Sequence, residues 1–308
     1  MLWSGWENDV FGSFLGGGGG FPYVYAVLMF AWYQVLQSYS HPFFMYLERN
    51  FGPVASGPVL AWLTHMVFYH LHSGIYAILD NYDGPWTKKK VSRFDKMTYS
   101  QMLPNVVKNQ TIFLVSGVAS AFATDFRGWK RGSIPFSEIT WSEMAYEAIT
   151  MYLMYEFIFY WNHRILHITD LRLFGRKYNL YAMFHKEHHS TYASVGVSGL
   201  YMGSIDCVLT QTLPQVIAPA LFNYHPMTLW LFSLVGSMNA VHTHSGFDFP
   251  GMSPPHGHEL HHSRYKVNYG TGLFDRLCGT KLDEEEVVRE NFGLGGRLRK
   301  DLEAKKTK

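Results

Sequence analysis

Ten of the 16 histidines in this chain are gathered into four tight clusters, and any fold it adopts has to account for them. They are His163 and His167, then His185, His188 and His189, then His242 and His244, then His258, His261 and His262. As patterns they read HxxxH, HxxHH, HxH and HxxHH. Imidazole is the commonest neutral metal ligand, and spacings of three or four residues on a helix bring two rings onto one face. Ten donors exceed the four that a structural zinc takes and the three of a catalytic one. The pattern therefore predicts two metal ions in one pocket, each holding several imidazoles and keeping a position open, as in a dinuclear metalloenzyme. For that the clusters have to meet in space, so every connecting segment has to return to the same side of the molecule.

A lone histidine is more often a packing or surface residue, and His41, His65, His70, His72, His225 and His256 are read that way. A histidine-rich tract can also be an unspecific metal sponge, but such tracts are contiguous and polar. These clusters are separated by apolar segments and repeat one arrangement. In a helical FHKEHHS, His185 and His188 share a face while His189 points about 100° away, toward a second ion. The segment HGHELHHSRY repeats that geometry with His258, His261 and His262. Glu187 and Glu259, placed between donors, are candidates to accept the second ring N–H of a bound imidazole.

Four stretches, residues 21–47, 58–79, 106–126 and 144–161, are long and apolar enough to span about 30 Å of hydrocarbon. Gln34, Gln37, His65 and Glu156 interrupt them, as expected of polar groups that face a bundle interior. Aromatic residues make up 17% of the chain and charged ones only 16%, which fits membrane interfaces lined by Tyr and Trp. The glycine run 16–20 reads as a flexible leader, and no cleaved signal peptide is expected. The loop 87–97 carries Lys88, Lys89, Lys90, Arg93 and Lys96, whereas the loop after the third span has Arg127, Lys130 and Arg131. Short basic loops stay cytosolic, which puts the N-terminus and the histidine clusters on that face. The segment 195–241, broken by Pro214, Pro219 and Asn223-Tyr224-His225-Pro226, reads as a hairpin that dips into the bilayer and returns. The sequon at Asn109 then falls at a cytosolic helix start, out of reach of glycosylation. Lysines at positions 305 and 306 match a dilysine retrieval signal of the endoplasmic reticulum, which has to be cytosolic.

The expected fold is an all-α integral membrane protein with about four transmembrane helices, a membrane-dipping hairpin and a cytosolic helical cap holding the dimetal site. Its parts are residues 1–140, the leader and first three spans; 141–282, the catalytic unit; and 283–308, a charged tail. A net charge of +2 gives no case for nucleic acid, and two cysteines give no disulfide framework. On the residues alone two reaction classes stay open: activation of dioxygen by paired irons, and hydrolysis by paired metals that activate water.

The segments HRILH, HKEHHS, HTHSGFDFP, HELHHSRYKVNYG and GLFDRLCGTK, in order between residues 144 and 281, resemble the fatty acid hydroxylase/sterol desaturase superfamily. HSGFDFP is similar to the 4-methylsterol oxidase branch and its hydroxylase-domain relatives. The resemblance implies a multi-pass enzyme of the endoplasmic reticulum in which the ten clustered histidines hold two Fe ions, with zinc their substitute on overexpression. It implies O2 as oxidant and electrons from NAD(P)H through cytochrome b5 and its reductase or a similar carrier. The implied substrate is a membrane lipid, in first place the 4-methyl group of a sterol precursor, and other enzymes of the sterol pathway are implied partners. Sterol 5-desaturase, sterol side-chain hydroxylase and fatty-acyl hydroxylase are alternatives within this chemistry. A zinc-dependent lipid hydrolase or a non-catalytic membrane protein are those outside it. The chain departs from the branch in three places. Seventeen residues separate His167 from His185, which predicts an enlarged cap; Tyr201-Met202-Gly203-Ser204 stands where relatives have Ala-His-Pro; and His242 is often not histidine there.

Overall fold

A computed structural model describes Val27, Ala31, Tyr39 and residues 41–82, 84–90, 97–126, 129–249, 252–253 and 255–282. Most of the first expected span, part of the basic loop and the tail with its lysines lie outside the described residues.

Three long helices carry the architecture: α1 (Leu60–Asn81), α2 (Tyr99–Ala123) and α3 (Trp141–Leu166). They coincide with the second, third and fourth expected spans. Two of them start on capping boxes. Thr98 N–H donates to Gln101 Oε1 at 2.8 Å, and Thr140 N–H donates to Glu143 Oε2 at 2.9 Å while the Glu143 N–H donates to Thr140 Oγ1. Among the described residues, α2 is the one helix long and apolar enough to cross a membrane on composition alone. The other two are apolar on one side only. Helix α1 turns Leu63, Val67, Leu71, Ile75 and Ile78 outward and buries Tyr69, Ser73 and Tyr76. Helix α3 exposes Ile149, Leu153, Phe157, Trp161 and Ile165 and buries Glu147, Glu156 and His163. Polar residues packed inside lower the average hydropathy of each helix without changing the face it shows to its surroundings.

The apolar stretch after the second histidine cluster does double back. Helix α4 (Leu213–Leu221) and helix α5 (Pro226–Thr243) are joined at residues 222–225, with Pro226 in the first turn and His225 Nδ1 accepting from Met227 N–H at 3.1 Å. Before them, residues 196–200 form an irregular, fully buried segment among α1, α2 and α5. Its backbone polar groups are satisfied from the helices: Tyr69 O–H donates to the Val197 carbonyl at 2.9 Å, and Asn109 Nδ2 donates to the carbonyls of Leu200 and Met202. Asn109 is thus buried in mid-helix, not at a helix start as the sequon reading had it. Gly199 lies against α5, where a Cβ would come within 3.2 Å of the Ala240 carbonyl.

Two corrections follow from these elements. The fold is mostly helical but not all-α, because the 17-residue insert between His167 and His185 contains an antiparallel hairpin, β1 (Leu171–Leu173) and β2 (Arg176–Tyr178). And Lys90 is no loop charge open to water. It is 9% exposed, with its ammonium donating to Asp80 Oδ1 at 2.6 Å and to the carbonyls of Ser194 and Ser245 at 2.5 and 2.8 Å. The last helices of the described part are α6 (His256–Arg264) and α7 (Leu273–Leu277).

Candidate metal centre

The four clusters converge at one end of the helices. His163 occupies the last turn of α3 and His167 caps it, so their four-residue spacing sets both rings on one side. His244 caps α5. The first HxxHH is a run of tight, irregular helical turns, and the second lies in α6. Nine of the ten donors sort into two groups in which all ligand atoms lie within 4.8 Å of one another. Group one is His163, His167, His185, His189 and His261; group two is His188, His244, His258 and His262. The groups abut, with the His189 and His262 rings stacked at 4.5 Å between centroids.

The division of each HxxHH differs from the expected one. His185 keeps company with His189, and His258 with His262, because residues four apart on a helical path lie nearly in line. The middle histidine of each triad, His188 or His261, crosses to the other group. His242 joins neither. Two residues apart on a helix means roughly 200° of rotation, so when His244 faces the centre His242 faces away. Its Nδ1 meets the Tyr76 hydroxyl on α1.

The hydrogen bonds fix which nitrogens are free. His163 Nδ1–H donates to the Tyr269 carbonyl at 2.5 Å, His261 Nδ1–H to Val267 at 2.7 Å, His244 Nδ1–H to Ala240 at 2.7 Å, and His262 Nδ1–H to Thr191 at 3.0 Å. His185 Nδ1–H donates to Asp206 Oδ2 at 2.6 Å. A proton on Nδ1 leaves Nε2 as a bare lone pair in the neutral ring. Yet His163 Nε2 faces His185 Nε2 at 2.9 Å, and His258 Nε2 faces both His244 and His262 at 2.8 and 3.0 Å. His258 has at most one Nε2 proton to give to those two acceptors. The Nε2 atoms of His167 and His261 are buried without a partner. Lone pairs converging at such distances repel, and a shared cation removes the repulsion. Nitrogens about 2.1 Å from one ion and at right angles to each other are roughly 3 Å apart, so the donor set fits a metal.

Electrostatics agree. Burial pushes the His188 imidazole down to about 4 and that of His244 to about 3, with His185 and His188 respectively adding to the effect. Burial also holds His189, His258, His261 and His262 well below the ordinary value. Neutral imidazole is the form that binds metal.

The surroundings of the centre were only partly foreseen. Glu187 is exposed and accepts from Asn105 Nδ2 at 3.0 Å, and Glu259 stands in the first turn of α6. The carboxylate that orients a ring is Asp206, fully buried and also accepting from Thr210 Oγ1 at 3.1 Å. Its signal in the sequence is an ionisable residue within an apolar stretch. Two further carboxylates shape the loop behind His163. Asp275 accepts from the N–H groups of Tyr269 and Gly270 at 2.8 and 2.7 Å, and Glu156 accepts from those of Thr271 and Gly272 at 3.0 and 3.2 Å. Gly270 is required there, since a Cβ would come within 2.7 Å of Glu156 Oε1.

Residues 148–280, which contain every clustered histidine, match the fatty acid hydroxylase family. Among curated proteins, fatty acid hydroxylase domain-containing protein 2 of Homo sapiens is 29% identical over 189 residues, which are 60% of this chain and 53% of that protein. The matched part thus spans about half the length of that relative. A very-long-chain aldehyde decarbonylase of Oryza sativa is 27% identical over 265 residues, 80% of this chain and 94% of its own length. A methylsterol monooxygenase of Arabidopsis thaliana is 26% identical over 182 residues, 56% of this chain and 59% of the relative. No solved structure matches the chain.

Proposed function

Because residues 148–280 match the fatty acid hydroxylase family, we propose that this chain is a membrane-bound diiron oxidoreductase that uses O2 to oxidise a lipid, in first place the 4-methyl group of a sterol precursor. The observation that carries the metal part is the pair of histidine groups with facing Nε2 lone pairs. Iron in group one would be held by His163, His167, His185, His189 and His261, and iron in group two by His188, His244, His258 and His262. The bound irons would supply the activation of O2. That chemistry would be insertion of one oxygen atom of O2 into a C–H bond, the other atom leaving as water on uptake of two protons and of two electrons from NAD(P)H through cytochrome b5 or a similar carrier. The chain itself orients the donor rings, with Asp206 holding the Nδ1 proton of His185.

The sterol reading draws on the HSGFDFP segment and on the methylsterol monooxygenase relative. Membrane placement is supported by α2 and by the outward apolar rows of α1 and α3; the endoplasmic reticulum and a cytosolic site are read from the basic loop and from Lys305 and Lys306. An apolar cavity lined by Trp62, Phe113, Met151, Leu229 and Trp230 lies between the helices. Met151 is twelve residues before His163 on α3, about 18 Å along the axis, so an elongated apolar body suits this bundle. A second reading, decarbonylation of a very-long-chain aldehyde, is favoured by the length over which the decarbonylase aligns. Sterol and long-chain lipid profiling of cells lacking the protein separates them. Accumulated 4,4-dimethylsterols support the first reading, accumulated long-chain aldehydes the second, and an unchanged profile in both classes overturns both.

A further inference from the structure

The hairpin β1–β2 has a composition that its own folding does not explain. Its two-residue turn is Phe174-Gly175, with φ of 52° and 74°, a mirror-image turn that favours Asn-Gly. A bulky side chain at positive φ is a conformational outlier. Phe174 is also 98% exposed, so no packing compensates, and Leu173 beside it is 46% exposed. The register sets Arg172 opposite Lys177 on one face and Leu173 opposite Arg176 on the other. Like charges directly across a strand pair repel. Asp170 lies 3.5 Å from Arg172 and 3.4 Å from Lys177, one anion for two cations whose side chains are 80% and 64% exposed. An apolar tip on a cationic stem is the pattern of an element that enters a lipid headgroup layer, with basic residues on phosphates and an aromatic ring at the acyl boundary.

Position agrees with composition. The outward row Leu153, Phe157, Trp161 and Ile165 on α3 runs up to the base of the hairpin, where Leu180 N–H donates to the Ile168 carbonyl at 2.9 Å. The hairpin therefore stands where that apolar row ends. We propose that residues 171–178 form a finger that inserts Phe174 and Leu173 into the surface of an anionic bilayer, held by Arg172, Arg176 and Lys177. This rests on the membrane placement proposed above. Because the finger joins His167 to His185, it would anchor group one directly to the lipid surface from which a substrate arrives.

The test uses the full chain in lipid nanodiscs, with Lys177→Cys carrying an environment-sensitive fluorophore in a background lacking Cys207 and Cys278. Co-purification with the discs and resistance to alkaline extraction check the membrane placement separately; failure there overturns that reading before the finger is tested. In discs containing phosphatidylserine the label should emit to the blue of its position in neutral discs and be quenched by nitroxide-bearing lipid. Phe174→Asn, which suits the turn and so preserves the fold, should abolish both effects. Arg172→Glu should shrink the difference between anionic and neutral discs. Emission and quenching that stay water-like in every lipid overturn the proposal. A shift that occurs only on adding an acidic soluble electron carrier overturns it too, in favour of a protein docking site.

Discussion

The two histidine groups are built from the same kinds of segment and differ in how each is closed. Each takes the outer pair of one HxxHH and the middle ring of the other. Group one is completed by an HxxxH at the end of α3, and both of its rings arrive. Group two is completed by an HxH at the end of α5, and only His244 arrives. All five rings of group one are buried, whereas His258 of group two is only half-buried. Helical spacing thus decides donor number. A six-coordinate ion would keep one position open in group one and two in group two, so the geometry makes group two the more open side for an incoming ligand.

The sharpest way to break this comparison is to remove the crossing rings. His188→Ala leaves group two three donors, and His261→Ala leaves group one four. Both should lower turnover by more than the roughly 10–100-fold that outer partners of a metal site cost. Metal analysis should separate them, with about two ions per chain in the parent, one in His188→Ala and nearly two in His261→Ala. Equal losses in the two variants would mean that the groups are not distinct.

Next comes the tether of group two. Lys90 joins the segment after His189, through Ser194, to the segment after His244, through Ser245. Its side chain is 5% exposed and that of Asp80 17%. Lys90→Met removes the ammonium beside Asp80, so thermal unfolding should show a loss of roughly 3 kcal/mol, the lower end for a broken buried pair. Group two should also release metal faster to a chelator than it does in the parent. Adding Asp80→Asn should recover part of the stability; no recovery would show that the ion pair is not the cause.

Asp206→Asn tests group one from the other side. Losing the charge on His185 should cost about 10–100-fold in metal affinity or turnover, with group two retaining its ion. A chelator titration in which both ions leave together would contradict that separation. The smallest effect is expected at His242. His242→Gln should keep turnover within about threefold of the parent, the scale of most changes that touch no site. A collapse comparable to that of His261→Ala would return His242 to the ligand set.

Much of this site was legible in the chain because metal donors are drawn from few residue types at helical spacings. The spacing rule reached HxxxH, whose two rings came together, but in each HxxHH it paired the first two rings where the structure pairs the first and third. The same rule applied to HxH would have excluded His242, since two residues of helix cannot present both rings to one point. Glu187 and Glu259 were near in sequence, but on a helical path the next residue points about 100° away from its neighbour. Asp206 lies 21 residues from His185 and meets it only through the packing of the segment after the second cluster. The carbonyls of Tyr269, Val267, Thr191 and Ala240 could not be read at all, because every residue carries one. The strands were missed for a different reason. They are three residues each, too short for alternation to register, and their turn carries Phe where Asn is the signal.

The exchange of middle rings between the two triads bears on how the holoprotein comes into being. Neither set of donors can be completed from one stretch of chain, since each needs a residue from both His185–His189 and His258–His262. During synthesis no complete cage exists until the last of these has left the ribosome. A first ion would dock both segments and so pre-form the neighbouring cage, and the conformational entropy of docking would then be spent only once. Uptake should accordingly be cooperative, with half-loaded chains scarce at equilibrium.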